Sequence, residues 1–165
     1  MTIDGRELRS VLRSHASGVA VLTAATPTGP AGVTITSFTS ISADPALVSF
    51  ALAESSSTWA RLQRSMWFGL HILSADQTDL AERFAARGVD RFAPPTRWST
   101  GPRGVPLLDG CAARLIGFRY RQVRLGDHHL VVCSVEHAET GTPGNALIHH
   151  QGALLPAGST VPARI

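Results

Sequence analysis

The chain switches between stretches that alternate every second residue and stretches that repeat every third or fourth, and this order predicts its elements. Leu8, Val11 and Leu12 share one side of a helix that Asp4 and Glu7 open as a capping box and that should end near Gly18. Strand patterns follow: Gly18 to Thr26, "GVAVLTAAT", and Ala31 to Ser42, "AGVTITSFTSIS", flank the turn "PTGP" and predict an antiparallel pair. Pro45 opens a third strand, "ALVSFALA". "SSSTWARLQRS" reads as a short helix capped by serine, and "MWFGLHIL" returns to strand. Ser74 and Gln77 form a second capping box, for a helix with Leu80, Ala81 and Phe84 on one face before Gly88. Residues 89–110 are rich in proline and glycine, lack periodicity and predict a long loop, which in compact domains is usually functional or mobile. Two long strands, "CAARLIGFRYRQVR" and "HHLVVCSVEHAE", meet at Leu125 to Asp127, and Leu130 to Cys133 reads as buried on both faces. A last strand, "ALIHHQGAL", is available to close the sheet. Antiparallel strands with a few short helices favour a mainly-β barrel over a doubly wound sheet.

At 165 residues and 44% apolar content the chain fits one domain, with a core over about residues 5–155 and a short C-terminal tail. Charged residues are only 16%, below the roughly 25% usual for soluble domains, which favours a surface covered by a second copy. All 15 basic residues are arginine, scattered along the chain, so the basic patch or stripe that nucleic-acid binding needs is not indicated. The amino terminus lacks the apolar segment of a secretory signal, and no apolar run approaches the roughly 18 residues of a membrane span, so a cytoplasmic protein is expected. Cys111 and Cys133 sit in strand-like runs without metal-ligand spacing and are expected to be small core residues.

Three stretches carry candidate chemistry. In "AGVTITSFTSIS", Val33, Ile35 and Ile41 separate from Thr34, Thr36, Ser40 and Ser42 by a period of two. The hydroxyl set is either a solvent face or a polar wall for a heteroaromatic ligand. "ESSST", Glu54 to Thr58, stands at a helix start, where hydroxyls and free amides either cap the helix or accept a phosphate. In "RLGDHHLVVCSV" Asp127, His128 and His129 stand at the mouth of an apolar strand; adjacent histidines point to opposite faces and do not chelate one ion, and the same holds for His149 and His150, so no metal site is expected. No P-loop, GxSxG or GxGxxG motif is present.

In order, "SGVAVLTA", "GVTITSFTSISADPALVSFAL", "FGLHILSADQTDLAERFA", "GVPLLDGCAARL" and "GDHHLVVCSV" resemble the flavin reductase family, the FMN-binding split-barrel proteins that supply reduced flavin to two-component monooxygenases. The resemblance covers roughly residues 5 to 150. It implies a six-stranded antiparallel Greek-key barrel, a homodimer with flavin near the subunit interface, and an NAD(P)H-dependent enzyme that reduces FMN or FAD with NADH or NADPH. Carried over by position, the flavin contacts fall on Thr34, Ile35, Thr36, Ser37, Phe38, Ser40 and Ile41, the phosphate end on Ser55, Ser56 and Ser57, and a further contact on Arg87. His128 matches the histidine that lies beside flavin and nicotinamide in relatives. The chain has His71 where the family commonly has asparagine, serines 55 to 57 where basic residues are common, and Leu154 and Leu155 in place of an aromatic after the final glycine. Two other readings stay open: a flavin carrier or electron relay without NAD(P)H turnover, and a flavin-less split barrel acting as an interaction subunit.

Overall fold

A computed structural model describes residues 3–158. In chain order the elements are α1 (Gly5–Leu12), β1 (Ser17–Gly18), β2 (Ala20–Thr26), β3 (Gly29–Ile35), β4 (Thr39–Ala43), β5 (Ala46–Ala53), α2 (Ser57–Leu62), β6 (Trp67–Ile72), α3 (Thr78–Ala85), β7 (Trp98–Thr100), β8 (Pro106–Leu108), β9 (Ala113–Leu125), β10 (His128–Thr140), β11 (Leu147–His150) and β12 (Ala153–Pro156). Seven of them form one antiparallel sheet in the order β3-β2-β6-β9-β10-β5-β4.

The single strand expected over Ala31 to Ser42 is two strands. The chain leaves β3 at Ile35, turns a corner at Thr36 to Phe38 and resumes as β4. Because β3 pairs with β2 and β4 pairs with β5, this one run joins the two margins of the sheet and closes it into a barrel. Six sequence runs therefore make a six-sided barrel with seven hydrogen-bonded strands. The uniform β-propensity of "TITSFTSIS" conceals the corner.

Two apolar clusters explain which patterns alternate and which do not. Inside the barrel Leu22, Phe50, Phe68, Leu70, Val131 and Cys133 pack together, and Trp59 and Leu62 of α2 join them. Outside it, Val19 and Val21 pack with Leu73, Ala81, Phe84, Leu108, Cys111 and Leu147. Since β2 is covered on both faces, "VAVLTA" reads as a continuous apolar run. Each fully buried large side chain contributes about 2 kcal/mol. On β10, Val131 and Cys133 are buried while Leu130 and Val132 are half-buried, so this strand alternates rather than being enclosed on both faces as expected. Burial pushes the Cys111 thiol up to about 11 and the Cys133 thiol up to about 12, in keeping with inert core residues.

Residues 89–110 are not a featureless loop. They carry the β7–β8 hairpin, fully bury Val105 and Leu108, and set Phe92 edge-on against both Phe84 and Trp98. Thr23 and His71 on the barrel wall hold the segment: the Thr23 hydroxyl donates to the Pro106 carbonyl at 2.6 Å, and the Leu108 amide donates to His71 Nε2 at 3.1 Å. His71 Nδ1 lies 3.0 Å from the Val21 carbonyl. With Nε2 accepting, Nδ1 carries the proton and donates, so the buried ring is neutral. The histidine at this departure from the family pattern is a structural clamp.

The remaining differences lie at the two ends. The "ALIHHQGAL" run does not close the barrel; it forms the β11–β12 hairpin, which pairs with β1 in a separate sheet after a turn at Gln151 and Gly152, both at positive φ. Helix α1 ends at Leu12, not near Gly18. Its cap is the Asp4 carboxylate, which accepts from the Arg6 and Glu7 amides, and none of its residues is buried.

Candidate functional site

The geometry of the site begins with Gly32 on β3. A Cβ there would fall 2.7 Å from the Phe84 ring, so the glycine lets α3 lie directly on β3. The Thr34 hydroxyl donates to the Ala81 carbonyl on the same helix. The end of α3 is thereby set opposite the start of α2, and an open cleft of about 930 Å³ lies between them, floored by β3. Ser55, Ser56, Ser57 and Arg87 all line it, so four positions selected from the sequence converge. Ser56 is the cap of α2, its hydroxyl accepting from the Trp59 amide at 3.2 Å, while Ser55 and Ser57 are exposed to the cleft.

Two further arginines build this cleft and were not singled out from the sequence. Arg91 Nη1 donates to the Gly32 carbonyl at 2.6 Å and the Thr58 hydroxyl at 2.8 Å, while its Nε and Nη2 donate to the Ala86 carbonyl. One guanidinium thus ties β3, α2 and the segment after α3 together. Arg61 Nη2 donates to the Pro30 carbonyl at 3.0 Å. Burial, with the like charge of Arg61 nearby, lowers the pKa of Arg91, and the carbonyl oxygens around its guanidinium offset that cost. Among fifteen arginines the sequence does not distinguish these two, because the partners that tie them to β3 and α2 lie 31 to 59 residues away.

The other expected contacts lie beside the cleft, not in it. Ile35 is in the barrel core and Phe38 packs partly against it, whereas Thr36, Ser40 and Ile41 are exposed. Thr36 and Ser40 are separated by the corner and do not share one strand face. Ser37 touches β5: its hydroxyl donates to the Ala51 carbonyl and accepts from the Ala51 amide, both at 2.9 Å. From Ala51 the strand runs to Ala53, which lines the cleft and is the register partner of His128. The Glu54 amide donates to the Asp127 carbonyl at 2.9 Å and fixes the β9–β10 turn against the start of α2. Ser37 and His128 are therefore tied to opposite edges of β5 within two residues of each other, and β5 leads from them to the serine-lined cleft.

The paired histidines diverge, as alternation requires. His128 has a half-exposed side chain, with Nδ1 2.8 Å from the Asp127 carboxylate, which holds that carboxyl below the ordinary range. His129 turns toward the barrel, where its ring stacks on Trp59 at 4.9 Å, and its side chain is only 15% exposed. Glu54 lies 4.0 Å from His129 Nε2 and forms a 2.6 Å ion pair with Arg124. Among the described residues no group of three or more histidine, cysteine or carboxylate side chains could hold a metal ion, and no helix is long and apolar enough to cross a membrane. Leu154, at the position of the missing aromatic, packs against the outer apolar cluster, and Leu155 is exposed.

The donor set fits a flavin nucleotide: hydroxyls, helix-start amides and guanidinium groups surround the cleft for a phosphate, and an exposed hydroxyl-bearing corner adjoins it for a ring system. Comparison with known proteins agrees. The chain is 38% identical over 150 residues to the NADH:FMN oxidoreductase of Rhodococcus qingshengii, covering 88% of this chain and 78% of that protein. It is 34% identical over 152 residues to the reductase component of the 4-nitrophenol 4-monooxygenase/4-nitrocatechol 2-monooxygenase of Rhodococcus opacus, covering 91% and 80%. The solved structure of the Streptomyces globisporus NADH:FAD oxidoreductase SgcE6 in complex with NAD and FAD fragments superposes with a TM-score of 0.88 at 28% identity, covering 99% of each chain. Residues 12–158 match the flavin reductase like domain, and the chain belongs to that family.

Proposed function

We propose that the protein is an NAD(P)H:flavin oxidoreductase that reduces FMN or FAD and releases the reduced flavin to a partner monooxygenase. The observation that carries this reading is the convergence of Ser55, Ser56, Ser57 and Arg87 with Arg61 and Arg91 around one cleft, continuous along β5 with Ser37 and His128. Its support from relatives is that they include an NADH:FMN oxidoreductase and a monooxygenase reductase component.

Bound flavin supplies the chemistry by accepting a hydride from nicotinamide. The protein's part is to bind, orient and exclude water. Arg87 and the serines at the start of α2 neutralise and hydrogen-bond the phosphate end. Thr36, Ser37 and Ser40 present hydroxyls, and Thr34 to Phe38 present main-chain groups, to the ring and ribityl portions, with Ile41 as an exposed apolar contact. His128 stands at the nicotinamide edge, and its hydrogen bond to Asp127 orients the ring. Hydride transfer takes no proton from nicotinamide, so this imidazole serves orientation and charge neutralisation.

A second copy of the chain completes the site. Ile41, Val123 and Leu125 are exposed large apolar residues on or beside the strands that carry Ser40 and His128, and two-fold association would cover them. Two buried, unpaired cysteines suit a reducing cytoplasmic setting. The test is steady-state oxidation of NADH or NADPH, followed at the nicotinamide absorbance band, with FMN, FAD and riboflavin as acceptors. Flavin-dependent turnover supports the reading. Flavin binding without nucleotide oxidation would favour the carrier, and neither would favour the interaction subunit.

A further inference from the structure

The His71 imidazole stands at one end of a series of contacts whose other end is the wall of the flavin cleft. On the outer face of the barrel Thr23 is the register partner of Gly69, and Val21 that of His71. A Cβ at position 69 would fall 2.5 Å from Thr23 Oγ1, 2.8 Å from His71 Cε1 and 2.9 Å from Val105 Cγ1. Glycine there lets the two anchoring side chains and the anchored segment meet at one place. What they hold is the main chain of β8. Thr23 donates to the Pro106 carbonyl, the Leu108 amide donates to His71 Nε2, and the Leu108 carbonyl accepts from Arg114 Nη1 at 3.3 Å.

From β8 the contacts continue to the cleft. Leu108 is the register partner of Trp98 on β7. The Trp98 indole Nε1 donates to the Phe92 carbonyl at 3.1 Å, and the two rings meet edge-on at 5.3 Å. Phe92 follows Arg91, whose guanidinium reaches the Gly32 carbonyl and the Thr58 hydroxyl. Arg91, Phe92 and Trp98 all line the cleft. This wall is therefore held at two places, by Arg91 at the cleft and by Thr23 and His71 behind the hairpin. Strands of three residues do not hold a hairpin in place by themselves, so its position follows from its anchors.

We propose that His71 and Thr23 are positioning residues for flavin binding: by fixing β8 they set the β7–β8 hairpin, and through Trp98 and Phe92 they set the wall of the cleft. The proposal rests on the oxidoreductase reading above and adds to it a determinant of flavin affinity in the barrel wall, outside the cleft. Side-chain reach separates the two hydrogen bonds of His71. Nδ1 is bonded to Cγ, while Nε2 lies one atom further out. An asparagine amide occupies the place of Nδ1 and keeps the bond to the Val21 carbonyl, but it stops short of Leu108. A glutamine amide is one carbon longer, and its Oε1 can accept from the Leu108 amide.

The test measures FMN affinity by fluorescence quenching, the KM values for FMN and NADH, and the melting temperature, in wild type, His71→Asn, His71→Gln, Thr23→Val and Leu70→Val. Leu70 precedes His71 on β6 but packs inside the barrel, so its variant reports destabilisation alone. His71→Asn and Thr23→Val should weaken FMN binding and raise the KM for FMN about fivefold, with kcat and the KM for NADH within about twofold of wild type. His71→Gln should recover most of the lost affinity, and Leu70→Val should melt lower with affinity unchanged. Wild-type affinity in His71→Asn, no recovery in His71→Gln, or affinity that falls in step with melting temperature across all four variants would overturn the assignment. Thr23→Val preserves shape, so if the His71 variants fail to fold it alone gives the answer: wild-type FMN affinity in it refutes the proposal. If the wild type binds no flavin, the oxidoreductase reading fails by itself, and hydrogen exchange followed by mass spectrometry still tests the coupling. Faster exchange over residues 91–98 in His71→Asn but not in Leu70→Val upholds it, and equal exchange refutes it.

Discussion

The hydroxyl of Ser37 holds both main-chain groups of Ala51, donating to the carbonyl and accepting from the amide at 2.9 Å each. This pair fixes the corner between β3 and β4 to β5, and so joins barrel closure to the proposed ring-binding surface. Neighbouring Thr36 and Ser40 are exposed, and their hydroxyls make no intramolecular hydrogen bond among those found in the described residues.

The corner therefore gives two distinguishable variants. Ser37→Ala should cost about 1 kcal/mol of stability and also weaken flavin binding, because it loosens the corner. Thr36→Val with Ser40→Val should weaken flavin binding with little change in stability. Urea denaturation and flavin fluorescence quenching separate the two effects. Unchanged flavin affinity in the double variant would make the corner a solvent face.

The cleft arginines should differ in the same manner. Arg91→Lys removes a planar fork whose several hydrogen bonds go to main-chain oxygens and the Thr58 hydroxyl, which one ammonium cannot replace. A loss of about 2 kcal/mol in stability is expected, together with weaker flavin binding. Arg87 is exposed at the rim, so Arg87→Gln should leave the melting temperature unchanged and weaken FMN binding several-fold, an effect that shrinks as salt is raised. Equal melting temperatures for the two variants would contradict the clamp role of Arg91.

Much of this was legible in the sequence because local chemistry specified it. The Ser74–Gln77 capping box is present, leading into α3, and Ala81 and Phe84 are buried on the face their spacing indicated. The period of two correctly sent His128 and His129 to opposite faces, and serines 55 to 57 do stand at a helix start. What sequence could not reveal depends on partners far along the chain. The β7–β8 hairpin has three-residue strands held by Thr23 and His71, and the corner at Ser37 depends on Ala51. Arg61 and Arg91 resemble every other arginine until β3 and α2 come together. Which of two adjacent histidines is embedded follows from Trp59, seventy residues from His129.

His71 makes stability sensitive to acid. Its pKa is lowered to about 4, chiefly by burial and despite the hydrogen bond to Val21, against an ordinary 6.5. Between these values the unfolded chain binds a proton that the folded one refuses, so the stabilisation is complete above about pH 6.5 and falls as pH drops through 4. The loss from this group is on the order of 3 kcal/mol. Urea midpoints measured from pH 7.5 to pH 4 should decline in the wild type. In His71→Asn the starting value should be lower and the decline smaller; an identical decline would remove His71 as its source.

His129 should act through the fold alone. Losing its stack on Trp59 in His129→Ala should cost about 1 kcal/mol, seen as a melting temperature a few degrees lower, while the rate of flavin reduction per folded molecule stays at the wild-type level. A reduction rate that falls as far as in a His128 variant would show that the two faces of the strand are not functionally distinct.

The most direct test of the proposed hydride-transfer site is the rate at which NADH reduces bound flavin in wild type and in His128→Ala, followed by anaerobic stopped-flow absorbance before product flavin leaves. Wild type should bleach the flavin in a single enzyme-bound phase. His128→Ala should do so about tenfold more slowly or worse, a loss of about 1.4 kcal/mol in transition-state stabilisation, with a smaller change in flavin affinity. Failure of the wild type to reduce bound flavin, or equal rates in the two proteins, would contradict the account.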